Sequence, residues 1–205
     1  IMTANFTVLP LIFRDQIGLA SAEHWKIYLP IFGLSFIAAV PLIIIAEKHQ
    51  KIKQMLIGTI FLLALAQVGM TISSELSWGL LLCFLGFFVS FNFLEAVQPS
   101  LVAKYAGVNI KGTAMGVFST AQFMGIFIGG VAGGLLLENG NANWIFLFGG
   151  VGAVLWLGLT LSLPQPKFYK SRILKLCQSS LNDKQATTLA LADVIGVEEV
   201  AIAVD

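Results

Sequence analysis

Apolar residues run along this chain in long blocks, broken by short polar stretches. The blocks are continuous and do not alternate, which marks buried helices and not half-buried strands. Their length matches the hydrocarbon thickness of a bilayer, about 20 residues per helix. Residues 1–13, IMTANFTVLPLIF, read as the end of a helix whose beginning is missing. A polar loop is expected over 14–24. Complete spans are predicted at 25–46, 54–72, 78–98, 112–137 and 144–163, which with the partial helix makes six. The charged stretch EKHQKIK (47–53), a short turn (73–77), a loop (99–111) and ENGNAN (138–143) separate them. Trp25 and Tyr28 suit a membrane interface. Pro30 and Pro41 are tolerable inside a span, because neighbouring helices can re-satisfy the backbone.

The fourth complete span carries Gly at four-residue steps: Gly112 and Gly116, then Gly125, Gly129 and Gly133, with Gly130 and Gly134 beside them. Residues i and i+4 share a helix face. The result is a stripe almost free of side chains, which lets a second helix approach backbone to backbone. This predicts a tightly packed rod near the centre of the protein.

From Pro164 the pattern changes. PQPKFYKS (164–171) reads as a linker. Residues 172–177 alternate like a strand. Asn182 is a candidate N-cap and Gly196 a helix stop, and residues 197–204 end strand-like. The chain thus divides into a transmembrane domain (1–163), a linker (164–171) and the opening β-α-β of a small α+β domain (172–205). Beginning and ending inside such elements, it reads as a fragment of a longer protein.

Composition agrees with the pattern: 57% of the 205 residues are hydrophobic, 11% are charged, and mean hydropathy is +0.87. A soluble core of this length could not bury so much apolar surface, whereas average proteins are about a quarter charged. The net charge of +1 points to no partner, and no nucleic acid is expected. Cys83 and Cys177 suggest neither a disulfide framework nor a metal motif. The distribution of charge is more informative. Lys48, Lys51, Lys53, Lys104, Lys111, Lys167, Lys170 and Arg172 fall on one side of the predicted topology, and only Arg14 and Lys26 on the other. That bias places the EKHQKIK loop and the tail in the cytoplasm.

Glu95 is the one formal charge within the complete spans. A carboxylate at that depth costs a few kcal/mol and is usually functional or paired. Asn92 and Gln98 stand three residues to either side, so the three are expected to share a helix face. Two readings of Glu95 stand open: a group that takes up and releases a proton during transport, or a structural pair with Lys104 or Lys111. Gln122 shares a face with Gly125 and Gly129, near mid-span. It can bond a substrate in a cavity or a neighbouring helix, and the second is the commoner case. Phe84, Phe87, Phe88, Phe91 and Phe93 cluster in one helix. They either line a lipophilic cavity or, as expected here, face lipid. His24 and His49 lie in loops, and no catalytic triad, metal or phosphate-loop spacing is present, so neither an enzyme nor a cofactor is expected.

Six helices in this orientation resemble the C-terminal half of a major facilitator superfamily (MFS) transporter. Gly125-Ile-Phe-Ile-Gly129-Gly130 resembles that family's GxxxGPxxGG motif, with Ile126 for Pro and Ala121 for the leading Gly. Ala46-Glu47-Lys48-His49-Gln50-Lys51 resembles its GxLaDrxGrk loop. Glu47 stands for the Asp, Lys48 and Lys51 for basic positions, and Ile43 and Gln50 replace Gly. The resemblance implies a charge contact between Glu47 and a helix end. AEHWKIYL (22–29), FNFLEAVQPSL (91–101) and KGTAMGVFSTAQFMGIFIGG (111–130) are similar to the YajR-type group of bacterial MFS transporters. That group is similar to drug-efflux proton antiporters and carries a cytoplasmic ferredoxin-like domain. The implied function is a proton-coupled exporter of small molecules in the bacterial inner membrane. Its implied partners are the lipid bilayer, an N-terminal six-helix half, a small-molecule substrate and protons. The tail would regulate or self-associate. The alternative is a membrane scaffold or sensor whose helices anchor the tail. An upstream six-helix half would favour transport, and an upstream soluble domain would exclude it.

Overall fold

The computed structural model describes residues 1–15, 18, 20–73, 78–106, 110–139, 142–164 and 190–191. The chain divides into two units, Ile1–Lys167 and Phe168–Asp205. In the second unit only Ala190 and Leu191 are described, and they are helical. The strands expected around them lie outside the described residues.

The first unit is all-helical: α1 (Met2–Asp15), α2 (Trp25–Lys48), α3 (Ile52–Ile72), α4 (Trp78–Tyr105), α5 (Lys111–Asn139) and α6 (Ala142–Ser162), with a 3-10 turn (Ser21–Glu23) before α2. The last five are long and apolar enough to cross a membrane, and α1 has 14 residues. A multi-pass membrane protein is the architecture. Within the spans, hydroxyls return hydrogen bonds to their own helix, as from Thr59 to Met55, Thr71 to Gln67, Ser90 to Gly86 and Thr160 to Trp156. Each of these hydroxyls is thereby satisfied within its own helix.

The expected boundaries shift most at Pro99. The sequence pattern ends the third complete span before it, but α4 continues through it to Tyr105. A proline removes one helical hydrogen bond, and a bilayer helix tolerates that loss where neighbours support it. Here the last turns of α4 are held from outside by Glu47. Its carboxylate accepts from Ser100 Oγ (3.1 Å) and from Lys104 Nζ (2.8 and 2.9 Å).

The helix α4 is central, packing on α2, α3 and α5, while α3 also packs on α6 and α1 on α5 and α6. This corrects the expectation that the Phe cluster faces lipid. Phe84, Phe87, Phe88 and Phe93 are buried. Phe84 meets Phe13, Tyr28 and Phe88 edge to face, with ring centroids 4.8–6.1 Å apart. A helix with several protein neighbours has little lipid-facing surface, so its bulkiest residues fill the core. The helices α3 and α6 approach closely where α6 offers Gly149 and Gly150. A Cβ on Gly149 would lie 2.5 Å from Gln67 Nε2.

The glycine stripe of α5 divides in two. At one end Gly129 and Gly133 are buried against α1, and a Cβ on Gly133 would meet Ala4 Cα at 2.9 Å and Thr7 Oγ1 at 3.1 Å. Gly130 faces Thr3 at an ordinary contact distance. At the other end Gly112, Gly116 and Gly125 have no neighbour within 4 Å among the described residues. The centrally packed rod expected from the pattern is therefore packed over half its length only, and α5 is among the more exposed helices.

The end of α2 shows a sharp stop. Gln50 N–H bonds the Glu47 carbonyl (3.2 Å) and Lys51 N–H bonds the Ala46 carbonyl (3.0 Å). This pair of bonds is the Schellman closure, which requires a left-handed residue after the cap, usually Gly. Gln50 occupies it, at φ 55°.

Candidate functional site

Glu95 and Gln122 meet. Gln122 Nε2 donates to Glu95 Oε1 at 2.7 Å, tying α4 to α5. Glu95 lies 10 residues before the end of α4, and Gln122 lies 11 residues after the start of α5. At 1.5 Å per residue, both sit roughly 15 Å from the end of the bundle that gathers the lysines. The extension of α4 through Pro99 is what puts Glu95 at this depth, and not near a helix end. The pair lies on an open surface of the six helices, and Gly125, three residues beyond Gln122 on α5, is also uncovered.

Asn92, three residues before Glu95, bonds a different neighbour. It donates from Nδ2 to Ser35 Oγ on α2 at 2.9 Å, and Ser35 in turn donates to the Phe32 carbonyl at 2.7 Å. Asn92 and Glu95 are about 100° per residue apart on a helix, a total of about 300°. The remaining separation of about 60° is small, but it is enough for the two side chains to reach different neighbours, α2 and α5. Gln98, half-buried, stands one turn beyond Glu95. One face of α4 is thus bonded to α2 through Asn92 and another to α5 through Glu95.

Lys104, a proposed structural partner of Glu95, is instead bonded to Glu47. The ion pair is partly exposed, 24% for Lys104 and 43% for Glu47. Such a pair contributes under about 1 kcal/mol and serves to position the loop more than to stabilise it. Lys48 and Lys51 are exposed beside it. At the same end, Lys53 Nζ donates to the carbonyls of Leu161 (3.2 Å) and Leu163, and Tyr105 Oη donates to the Pro164 carbonyl at 2.7 Å. Sequence reasoning missed Ser35, Ser100, Lys53 and Tyr105 as partners, because single hydroxyls and lysines carry no local signal of what they reach. Gln50 had a signal: it stands where the loop motif has Gly.

Comparison with known proteins gives a consistent picture. The Major Facilitator Superfamily profile matches residues 1–194. The chain is 34% identical over 203 residues to the inner membrane transport protein YajR of Escherichia coli, covering 99% of this chain and 44% of that protein. It is 29% identical over 156 residues to an uncharacterized transporter of Buchnera aphidicola, covering 76% of this chain and 40% of that one. A shorter stretch of 68 residues is 35% identical to the efflux pump FUB11 of Gibberella fujikuroi, covering 33% of this chain and 12% of that protein. The chain spans less than half the length of these relatives.

Proposed function

Because the chain belongs to the major facilitator superfamily, a family of membrane transporters, we propose that it forms the C-terminal six-helix half of a proton-coupled exporter of small molecules. The observation that carries this reading is the Glu95–Gln122 pair, a carboxylate at mid-depth on a surface these helices leave open. Facing lipid, an ionised carboxylate costs about 2.5–3.5 kcal/mol. Facing a polar cavity between two halves, it does not bear that cost, and pseudo-symmetric transporters place their sites there.

Ionised Glu95 accepts a hydrogen bond from the Gln122 amide. Protonated, its hydroxyl becomes a donor, and the carboxamide oxygen of Gln122 or a substrate group becomes its partner. Proton uptake therefore exchanges the α4–α5 tie for a different one. A ligand that displaces Gln122 acts on the same contact. Alternating access follows from rocking of the two halves around this fixed site. Gln98 and the open Gly125 would meet the N-terminal half.

The lysine distribution supports an orientation with the Glu47–Lys53 loop and the tail in the cytoplasm. The E. coli relative's description supports the inner membrane, and the fungal relative's supports outward transport. The tail after Arg172 is read as the opening of a ferredoxin-like regulatory or self-associating domain, from its β-α-β pattern. The test is Glu95→Gln in the intact protein, reconstituted in vesicles with and without a pH gradient. Loss of gradient-driven transport with unchanged folding is expected. Gradient-driven transport at the wild-type rate would remove Glu95 from the mechanism.

A further inference from the structure

Two sets of bonds converge on the end of α4. Ser100 and Lys104 hold Glu47 at the close of α2. Tyr105, the next residue, bonds the Pro164 carbonyl from its hydroxyl. Lys53, at the start of α3, bonds the carbonyls of Leu161 and Leu163. The last carbonyls of a helix have no intrahelical partner, and a cation there is favourable. Lys53 thus caps α6, and Tyr105 extends the clamp by one residue. The chain leaving α6 is held at three successive points, one of them on α4.

Proline chemistry links this clamp to Glu95. Pro99 has no N–H, so it gives no helical bond to the carbonyl four residues earlier, which belongs to Glu95. The helix is weakest at that turn. The α4 residues that bond neighbours at this end (Ser100 and Lys104 to Glu47, Tyr105 to Pro164) all lie beyond Pro99, and Glu95 lies at its other edge. We propose that the six residues after Pro99 form a lever, which passes displacement of the chain leaving α6 to the turn of α4 that carries Glu95. The tail's connection to the bundle is then a control point, and the signal enters α4 through the Tyr105 hydroxyl. This claim stands whether or not Glu95 binds a proton, and its test reads backbone exchange, not transport.

The experiment is hydrogen exchange on the intact protein in lipid nanodiscs, comparing wild type, Tyr105→Phe, and Tyr105→Phe with Lys53→Met. Both substitutions keep roughly the bulk of the side chain; Tyr105→Phe removes a hydroxyl bond, and Lys53→Met removes a charge and its bonds. The double variant is expected to exchange about fivefold faster over 158–164 and also over 96–105, as local opening becomes easier. Faster exchange over 158–164 alone leaves a simple helix cap and overturns the lever. Unchanged exchange in both segments overturns the clamp itself. Pro99→Ala in the double variant restores an N–H for the Glu95 carbonyl and is expected to shrink the response over 96–105. A response of undiminished size would show that Pro99 is not the hinge.

Discussion

Replacing Gln50 by glycine should stabilise this protein. Gln50 closes α2 with φ 55°, and its N–H and that of Lys51 complete the two bonds of the closure. A side chain in the left-handed region costs about 1–2 kcal/mol, because Cβ crowds the following carbonyl. Glycine removes that crowding. It also gives the unfolded chain more freedom, which offsets about 0.5–1 kcal/mol of the gain. The side chain of Gln50 is exposed, so little else is lost. The net expectation is a gain of about 0.5–1 kcal/mol, a factor of two to five in the unfolding equilibrium. Gln50→Ala keeps the Cβ and should give no gain. Unfolding of both variants in mixed micelles, titrated with a denaturing detergent and followed by circular dichroism, measures the difference. If glycine and alanine give equal stability, the left-handed strain is absent and the closure of α2 has another cause. If glycine is the less stable, the Gln50 side chain itself holds the loop.

Two pairs of substitutions test the packing. Gly133→Leu must displace Ala4 or Thr7, whose atoms would lie 2.9–3.1 Å from the new Cβ. It should cost about 1–3 kcal/mol in the same unfolding assay. Gly125→Leu meets nothing within 4 Å among the described residues and should leave the stability of these helices unchanged while lowering transport in vesicles. Equal destabilisation by the two would refute the divided stripe. Phe84→Ala empties a buried site ringed by Phe13, Tyr28 and Phe88, and should cost about 3 kcal/mol. Phe123→Ala, on a side chain 70% exposed, should cost under about 0.5 kcal/mol. A small loss at Phe84 would return the cluster to the lipid face.

The membrane class and the number of helices were legible because a bilayer imposes a length and a composition on each span. The deep carboxylate was legible for the same reason, as a single charge stands out against an apolar block. The pairing of Glu95 with Gln122 was not, since the two are 27 positions apart and nothing in either helix names its neighbour. Periodicity also failed for α4, where apolar residues run right round the helix. Such a pattern does not distinguish lipid from protein as the surrounding medium, and the Phe residues were assigned to the wrong one. Pro99 misled in the opposite direction: a strong stop in water is a weak one in a bilayer helix. Motif comparison found the Glu47 loop but read Gln50 as a loss, whereas the backbone keeps the geometry of the missing glycine.

The hydroxyls that bond back to their own helices bear on how this protein is assembled. A span carrying Thr59, Ser90 or Thr160 brings its hydroxyl partner with it. It can leave the insertion machinery for lipid with that group already satisfied, whichever helices have been made. The carboxamides of Asn5 on α1 and Gln67 on α3 have no such means. Both are fully buried, and neither finds a hydrogen-bond partner among the described residues. Gln67 is sheltered by Gly149 of α6, which is synthesised 82 positions later. Until α6 arrives, α3 must wait with an amide uncovered, so the order of synthesis leaves α3 a span in need of temporary shelter.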